Sequence, residues 1–151
     1  MKFKLYLTLI LLIAVYQETL SQMDVGCKVF VKKGFSTLDT STFTHDGRYN
    51  ALKLSPGQTF EIYKPFYKTR NYRIVVLADE KLPGITFEIL DVYRKPIYTS
   101  GKYDITQYYD YTPDKNQNLV IRVKVGESEK NKTDKKDTPE TFCVGVLIGY
   151  E

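Results

Sequence analysis

The segment "KPFYKTRNYR", residues 64–73, contains the residue types that best suit ligand binding in this chain. It interleaves four cationic side chains with three aromatic rings. Cations give charge-assisted hydrogen bonds to anionic groups, and aromatic faces stack on sugars or cations. The pattern predicts a ligand-binding surface formed by Lys64, Phe66, Tyr67, Lys68, Arg70, Tyr72 and Arg73. The structural alternative is that strand tyrosines bury their rings and leave the hydroxyl in water.

A second group of aromatic residues lies nearer the carboxyl end, and it offers another candidate stacking surface. It comprises Tyr103, Tyr108, Tyr109 and Tyr111. The same structural alternative applies, because Tyr108, Tyr109 and Tyr111 fall in the predicted strand 106–112.

Enzymatic activity has little support in the residue types. His45 is the single histidine, so a Ser-His-Asp or Cys-His arrangement would have to use it. It lies in "THDGR", where Asp46-Gly47 predicts a turn and therefore an exposed side chain. A zinc site needs three or four ligands held together, which one histidine and two distant cysteines do not supply. We therefore predict no catalytic residues and no enzyme.

Acidic residues leave two alternatives open. Four carboxylates crowd around one predicted strand and its preceding loop: Asp79, Glu80, Glu88 and Asp91. Acidic loops can bind Ca²⁺, and a carboxylate pair can hydrolyse glycosides. Lys81 and Arg94 lie among them, however, and no "DxDxD" spacing is present. Solvated loop charges are the favoured interpretation, with a calcium ion as the one cofactor to consider.

The motif "TFEI" occurs twice, at residues 59–62 and 86–89. In each copy the Phe and the Ile share one face of a strand, so Glu61 and Glu88 must point to the other face. That other face is solvent in a β-sandwich. We interpret the likeness as strand patterning and not as a functional repeat.

In the segments that position these residues, apolar and polar side chains alternate with a period of two, as in β-strands. No segment of ten or more residues shows the apolar spacing of an amphipathic helix. Turn signals such as "SPGQ" and "TPDKNQN" separate the segments. An all-β fold follows, namely an antiparallel, jelly-roll-like β-sandwich of about eight or nine strands. The predicted strands are 27–33, 49–54, 58–64, 71–78, 85–91, 96–99, 106–112, 118–125 and 142–149.

The domain organisation follows from the ends of the chain. Residues 1–21 combine Lys2 and Lys4, an apolar run and the small residues of a cleavage site, as a signal peptide does. That run is too short for a transmembrane segment. Residues 22–151 suit a single domain, and 126–141, "GESEKNKTDKKDTPET", predicts a charged flexible loop. Without Lys2, Lys4 and Glu18 the net charge is 20 minus 17, or +3, too small to indicate nucleic acid as a partner.

Cysteine usage agrees with export. Cys27 and Cys143 lie near opposite ends of the exported chain, and an oxidising compartment would allow a disulfide between them. Two buried, reduced thiols are the alternative. The predicted location is outside the cytoplasm, either in the periplasm or in the extracellular space, including the cell surface.

Several stretches carry a family resemblance: "LSPGQTFEIY", "YDYTPDKNQNLVIRVKV" and "CVGVLIGY". Residues 52–149 resemble the bacterial prepeptidase C-terminal domains, which are jelly-roll-like β-sandwiches, and the signal resembles those of Bacteroidetes. The late strand departs from the family pattern at "NQNLVI". The resemblance implies a non-catalytic module that binds a protein or glycan partner. A calcium-stabilised carbohydrate-binding accessory domain is the alternative, and a small secreted hydrolase ranks below both.

Overall fold

The computed structural model describes residues 25–101, 106–127 and 140–151. Within them, short helical segments precede nine strands. The helical segments are α1 (Val25–Val31), a 3-10 turn (Lys32–Gly34) and α2 (Phe35–Leu38). The strands are β1 (Thr44–His45), β2 (Asn50–Leu54), β3 (Thr59–Phe66), β4 (Tyr72–Ala78), β5 (Ile85–Leu90), β6 (Pro96–Thr99), β7 (Thr106–Tyr111), β8 (Gln117–Val125) and β9 (Phe142–Tyr150).

The strands form two antiparallel sheets that face each other. Sheet A has the order β2-β9-β4-β7, and β1 also pairs with β9 beyond the end of β2. Sheet B has the order β3-β8-β5-β6. Consecutive strands lie in opposite sheets, except that β1 and β2 both belong to sheet A and that β5 and β6 pair with each other in sheet B. The predicted jelly-roll-like β-sandwich is confirmed.

The main core lies between the sheets and is built from the inward residues of alternating strands. Ile74 and Val76 of sheet A face Phe87, Ile89 and Ile121 of sheet B, all fully buried. Burying such a side chain contributes about 1.5–3 kcal/mol, so this layer supplies most of the driving force for folding.

A second, smaller core covers the outer face of sheet A. The predicted first strand, 27–33, is wrong: α1 and the 3-10 turn occupy these residues. Cys27, Val31, Gly34 and Leu38 are all buried, and their spacing of four, three and four residues is helical. The outer face of β4 and β9 is apolar and needs cover, which a helix provides. A short apolar run such as "CKVFV" fits both the period of a strand and the period of a helix. The alternation of its residues was therefore not enough to assign it correctly.

Close contact between this helical segment and β9 depends on glycine. A Cβ atom on Gly145 would overlap the Val31 side chain. A Cβ atom on Gly149 would lie 2.8 Å from Phe43 and 2.9 Å from Leu38. The two glycines therefore let the segment before β1 lie directly on the sheet.

The predicted disulfide between Cys27 and Cys143 is present; it joins α1 to β9, with the two cysteines 116 residues apart along the chain. The predicted signal peptide, 1–21, lies outside the described residues, as do residues 128–139 of the predicted charged loop. Among the described residues, no helix is long and apolar enough to cross a membrane.

Candidate functional site

Two aromatic residues of the predicted binding segment belong to the core. Phe66 at the end of β3 and Tyr72 at the start of β4 are buried, with ring centroids 4.6 Å apart in an edge-to-face arrangement. The Tyr72 hydroxyl accepts a hydrogen bond from the backbone N–H of Tyr67 at 3.0 Å. These two rings fix the turn between β3 and β4, and both are almost entirely buried.

Arg73 points to the outer face of sheet A. Its guanidinium donates two hydrogen bonds of 2.7 Å to the Asp110 carboxylate. Its guanidinium carbon lies 4.6 Å from the Phe43 ring centroid and 4.8 Å from that of Tyr108. Hydrogen bonding to Asp110 raises the pKa of Arg73. This arginine is therefore fully engaged within the protein.

Lys64, Tyr67 and Arg70 come together in a cleft of about 260 Å³ at one end of the sandwich. We call it the Arg70 cleft, and it is lined by Asp46, Arg48, Lys64, Pro65, Tyr67, Arg70, Tyr72, Ile148 and Tyr150. Lys68 is exposed on the adjacent turn, where its backbone N–H donates to the Asn116 side chain at 2.9 Å. The predicted segment thus supplies one side of the cleft, and residues 46–48 and β9 supply the others.

Stacking fixes the position of Arg70 in the cleft. Its guanidinium carbon lies 4.2 Å from the Tyr150 ring centroid and 5.9 Å from that of Tyr67. Tyr67 is 46% exposed and presents part of its ring to solvent. A planar guanidinium held by rings keeps its hydrogen-bond donors available at the edges. In the part of the chain that the structure describes, no carboxylate forms a salt bridge with Arg48 or Arg70.

Lys64 and Asp46 form an ion pair in the wall of the cleft, with their side chains 12% and 8% exposed. Burial lowers the pKa of the Lys64 ammonium. The Asp46 carboxylate in contact with it favours the charged form. Arg48 and Arg70 therefore remain as two cations whose charge is not offset, and the cleft suits an anionic group.

His45 is not the exposed turn residue that the sequence predicts. It lies in β1, and the turn begins just after it, at Asp46 and Gly47. Its ring packs 5.0 Å from the centroids of both Phe35 and Tyr49, and its side chain is 13% exposed. Burial lowers its pKa. The prediction failed because a tertiary partner, α2, covers the start of the turn.

The two "TFEI" copies flank β8 in the same register. Glu61 and Glu88 both lie opposite Arg122, which donates hydrogen bonds of 2.7 Å and 3.3 Å to them. Arg94 also contacts Glu61, and Lys124 lies 3.0 Å from Glu88. Both carboxylates are thus on the outer face of sheet B, as predicted, and each has cationic partners.

Asp79 and Asp91, which also belong to the possible calcium or hydrolase site, accept hydrogen bonds from nearby backbone. Asp79 accepts from the Lys81 N–H at 3.0 Å, and Asp91 accepts from the N–H groups of Tyr93 and Lys95 at 2.9 Å and 2.8 Å. No three His, Cys, Asp or Glu side chains within the described ranges are grouped so as to hold a metal ion.

The second tyrosine cluster divides between core and surface. Tyr109 stacks on Tyr98 of sheet B with centroids 3.8 Å apart, and Tyr111 lies beside it. Tyr108 faces outward on the opposite side of β7, and Tyr103 lies outside the described residues. The cluster therefore does not form a continuous stacking surface among the residues described.

Sequence reasoning missed Arg48 and Tyr150 as members of the cleft. They are distant from residues 64–73 along the chain and reach the cleft only because β1 and β9 pair at this end of sheet A. The motif "HDGR" could have indicated Arg48, since an arginine at the end of a turn is commonly exposed. No local pattern indicated Tyr150.

Comparisons with known proteins find solved structures of low sequence identity. No protein-family model matches the chain, and no curated protein matches it. A solved structure of PliG from Aeromonas hydrophila, a periplasmic lysozyme inhibitor of g-type lysozyme, has a TM-score of 0.46 and 8% identity over 69% of this chain and 85% of that one. A de novo designed double-stranded β-helix has a TM-score of 0.37 and 15% identity, covering 69% and 99%. The CBM36-1 domain of a multidomain xylanase from the hindgut metagenome of Trinervitermes trinervoides has a TM-score of 0.32 and 12% identity. The match covers 74% of this chain and 91% of that one.

Proposed function

We propose that this chain is an exported, non-catalytic binding module that recognises an anionic glycan in the Arg70 cleft. The observation that supports the proposal is the stacking of Arg70 on Tyr150 beside the partly exposed ring of Tyr67. A cation fixed against rings pairs with a carboxylate or sulfate group, and an open aromatic face accepts the sugar ring. An anionic glycan carries both groups.

The charge balance of the cleft favours an anion over a neutral sugar. Arg48, Lys64 and Arg70 face one acid, Asp46, which is paired with Lys64. The two arginines supply donors in fork geometry, which suits bidentate binding of a carboxylate or sulfate. Specificity would then come from the spacing of anionic groups along the glycan.

The non-catalytic character rests on the surroundings of the groups that could do acid-base chemistry. His45 packs between Phe35 and Tyr49 and does not line the cleft. Asp46, the one carboxylate among the lining residues, is held by Lys64 and by the Arg48 N–H. Neither group has the freedom that a general acid or base needs.

Export is proposed from two independent features. Residues 1–21 have the charge and apolar pattern of a secretory signal. The Cys27–Cys143 disulfide is of the kind that forms and persists in oxidising compartments.

Binding to polygalacturonate, chondroitin sulfate and an uncharged xylan tests the proposal. Calorimetry should show binding to an anionic polymer, with an affinity that falls as salt rises because screening weakens exposed ion pairs. Arg70→Ala should weaken binding at least about tenfold, and Tyr67→Ala should weaken it by an amount that depends little on salt.

Arg73→Ala is the matched control, because Arg73 is three residues from Arg70 but points to the other face of sheet A and pairs with Asp110. The affinity of this variant for the anionic polymer should equal that of the unmodified protein. Equal losses in both arginine variants, or stronger binding to xylan than to the charged polymers, would remove the cleft from consideration.

A further inference from the structure

Lys64 and Asp46 meet in surroundings that suit two charges poorly. The two side chains are in contact in the wall of the Arg70 cleft, and both are mostly buried. Taking two charges out of water is costly, and replacing a buried ion pair by uncharged groups of similar volume is often neutral or stabilising. Burial also lowers the pKa of the Lys64 ammonium, which brings the neutral, nucleophilic amine within easier reach than on an exposed lysine.

The two carboxylate oxygens of Asp46 have different surroundings. Oδ1 accepts a hydrogen bond of 2.9 Å from the backbone N–H of Arg48. Oδ2 is buried in contact with Lys64 Nζ, and it accepts no hydrogen bond from the residues that the structure describes. A donor fixed at one oxygen stabilises the negative charge that develops there when a nucleophile adds to the carbon. One oxygen is therefore held in place, and the other lies beside the amine, where a leaving group would be.

We propose that Lys64 and Asp46 condense to an amide, which is an isopeptide bond between the two side chains. The neutral Lys64 Nζ adds to Cγ of the protonated Asp46 carboxyl group, and the Arg48 N–H stabilises the charge that forms on Oδ1. The Cγ–Oδ2 bond then breaks, and Oδ2 leaves as water. Two of the ammonium hydrogens leave in that water and one stays on the amide nitrogen. The ion pair thus contains every atom of the products, and nothing is oxidised or reduced.

The fold supplies what the same reaction lacks between free molecules in water. Asp46 follows β1 and Lys64 belongs to β3, so folding brings the two groups together before they react. Holding two reacting groups in this way corresponds to effective concentrations that can reach the order of 10⁵–10⁸ M. The amide removes one positive and one negative charge, so the net charge of the Arg70 cleft is unchanged. The inference is therefore independent of the proposed glycan binding.

A tryptic map of the purified protein, reduced to open its disulfide, tests for the bond by mass spectrometry. Trypsin does not cleave before proline, so Lys64 stays within the peptide 54–68 whether or not it is linked, and Asp46 lies in the peptide 34–48. We expect a species in which the two peptides are joined, with a mass equal to their sum minus one water. Fragmentation should place the link between Lys64 and Asp46. Recovery of the two peptides only as separate species overturns the proposal, and so does a link at any other residue.

Two controls separate a reaction at this site from unspecific condensation. Lys64→Arg keeps the positive charge but replaces the amine with a guanidinium that stays protonated, so its map should show the two peptides unlinked. Lys124 and Glu88 are the matched pair within the unmodified protein. They lie 3.0 Å apart, but the Lys124 side chain is 44% exposed, against 12% for Lys64, and we expect no link between them. A link in Lys64→Arg, or one between Lys124 and Glu88, would also overturn the proposal. The map of the unmodified protein decides the matter even if Lys64→Arg folds poorly.

Discussion

At the residue scale, the repeated "TFEI" has an explanation in β8. Both copies pair with the same residues of that strand: each Phe lies opposite Val123, each Glu opposite Arg122 and each Ile opposite Ile121. Two strands that flank one neighbour in the same register meet the same core on one face and the same guanidinium on the other. The sequences are alike because their surroundings are alike, and no shared chemistry is needed.

His45 gives a prediction at the same scale. Replacing it with alanine removes ring contacts with Phe35 and Tyr49, each pair being worth about 0.5–1.5 kcal/mol. We expect His45→Ala to lower the free energy of unfolding by about 1–2 kcal/mol, measured by urea denaturation near neutral pH. An unchanged unfolding midpoint would contradict the packing described for this ring.

The pH dependence of stability follows from the same burial. The pKa of His45 in the folded protein lies below its ordinary value of 6.5, so the unfolded chain binds the proton more tightly. The contribution of neutral His45 to the free energy of unfolding is therefore present above pH 6.5, and it is lost as the pH falls through the pKa of the folded protein. His45→Phe keeps a ring but cannot titrate, and we expect it to lose less stability than the unmodified protein between about pH 7.5 and about pH 5.5. If the free energy of unfolding fell equally with pH in the two proteins, His45 would not be the cause of the pH dependence.

At the element scale, the contact of α1 with β9 leads to a prediction about glycine. Gly145→Ala places a methyl group where the Val31 side chain lies, and overpacking of this kind costs about 1–3 kcal/mol. Val31→Ala opens that space at the cost of a cavity. We expect the double variant to be more stable than the sum of the two single losses predicts, which thermal or urea unfolding of all four proteins would measure.

Gly101→Ala is the control for this cycle, since nothing lies within 4 Å of a Cβ atom built there. It should leave the unfolding midpoint unchanged. If Gly145→Ala were equally neutral, or if the two effects at positions 31 and 145 were simply additive, the close approach of α1 to β9 would be wrong.

The strands of this fold could be predicted from sequence much better than its helical segment. Residues 85–89 of β5 alternate between buried and half-buried positions, and that period is visible in "ITFEI". The segment 27–38 is short and contains several β-formers, and its burial depends on the apolar outer face of β4 and β9, which only tertiary structure brings to it. The same reason explains why the middle of β9 is buried on both faces instead of alternating.

At the scale of the whole molecule, the cleft could be predicted only in part. Lys64, Tyr67 and Arg70 are neighbours along the chain, so their types and spacing indicated a binding segment. The separation of Arg73 from them depends on its pairing with Asp110 across sheet A, and the addition of Arg48 and Tyr150 depends on the pairing of β1 with β9. Both are long-range contacts that a local pattern does not contain.

The connection between β8 and β9 gives the last prediction. Trypsin should cleave the native protein first within residues 126–141, at Lys130, Lys132, Lys135 or Lys136, because a segment so rich in charge has little with which to pack. Cleavage there separates β9 from the rest of the chain, but the Cys27–Cys143 disulfide still links the two pieces. We therefore expect one band on a non-reducing gel and two bands after reduction. Because β9 pairs with β1, β2 and β4, the nicked protein should also keep a cooperative unfolding transition. Earlier cleavage elsewhere, or release of a fragment without reduction, would contradict this arrangement.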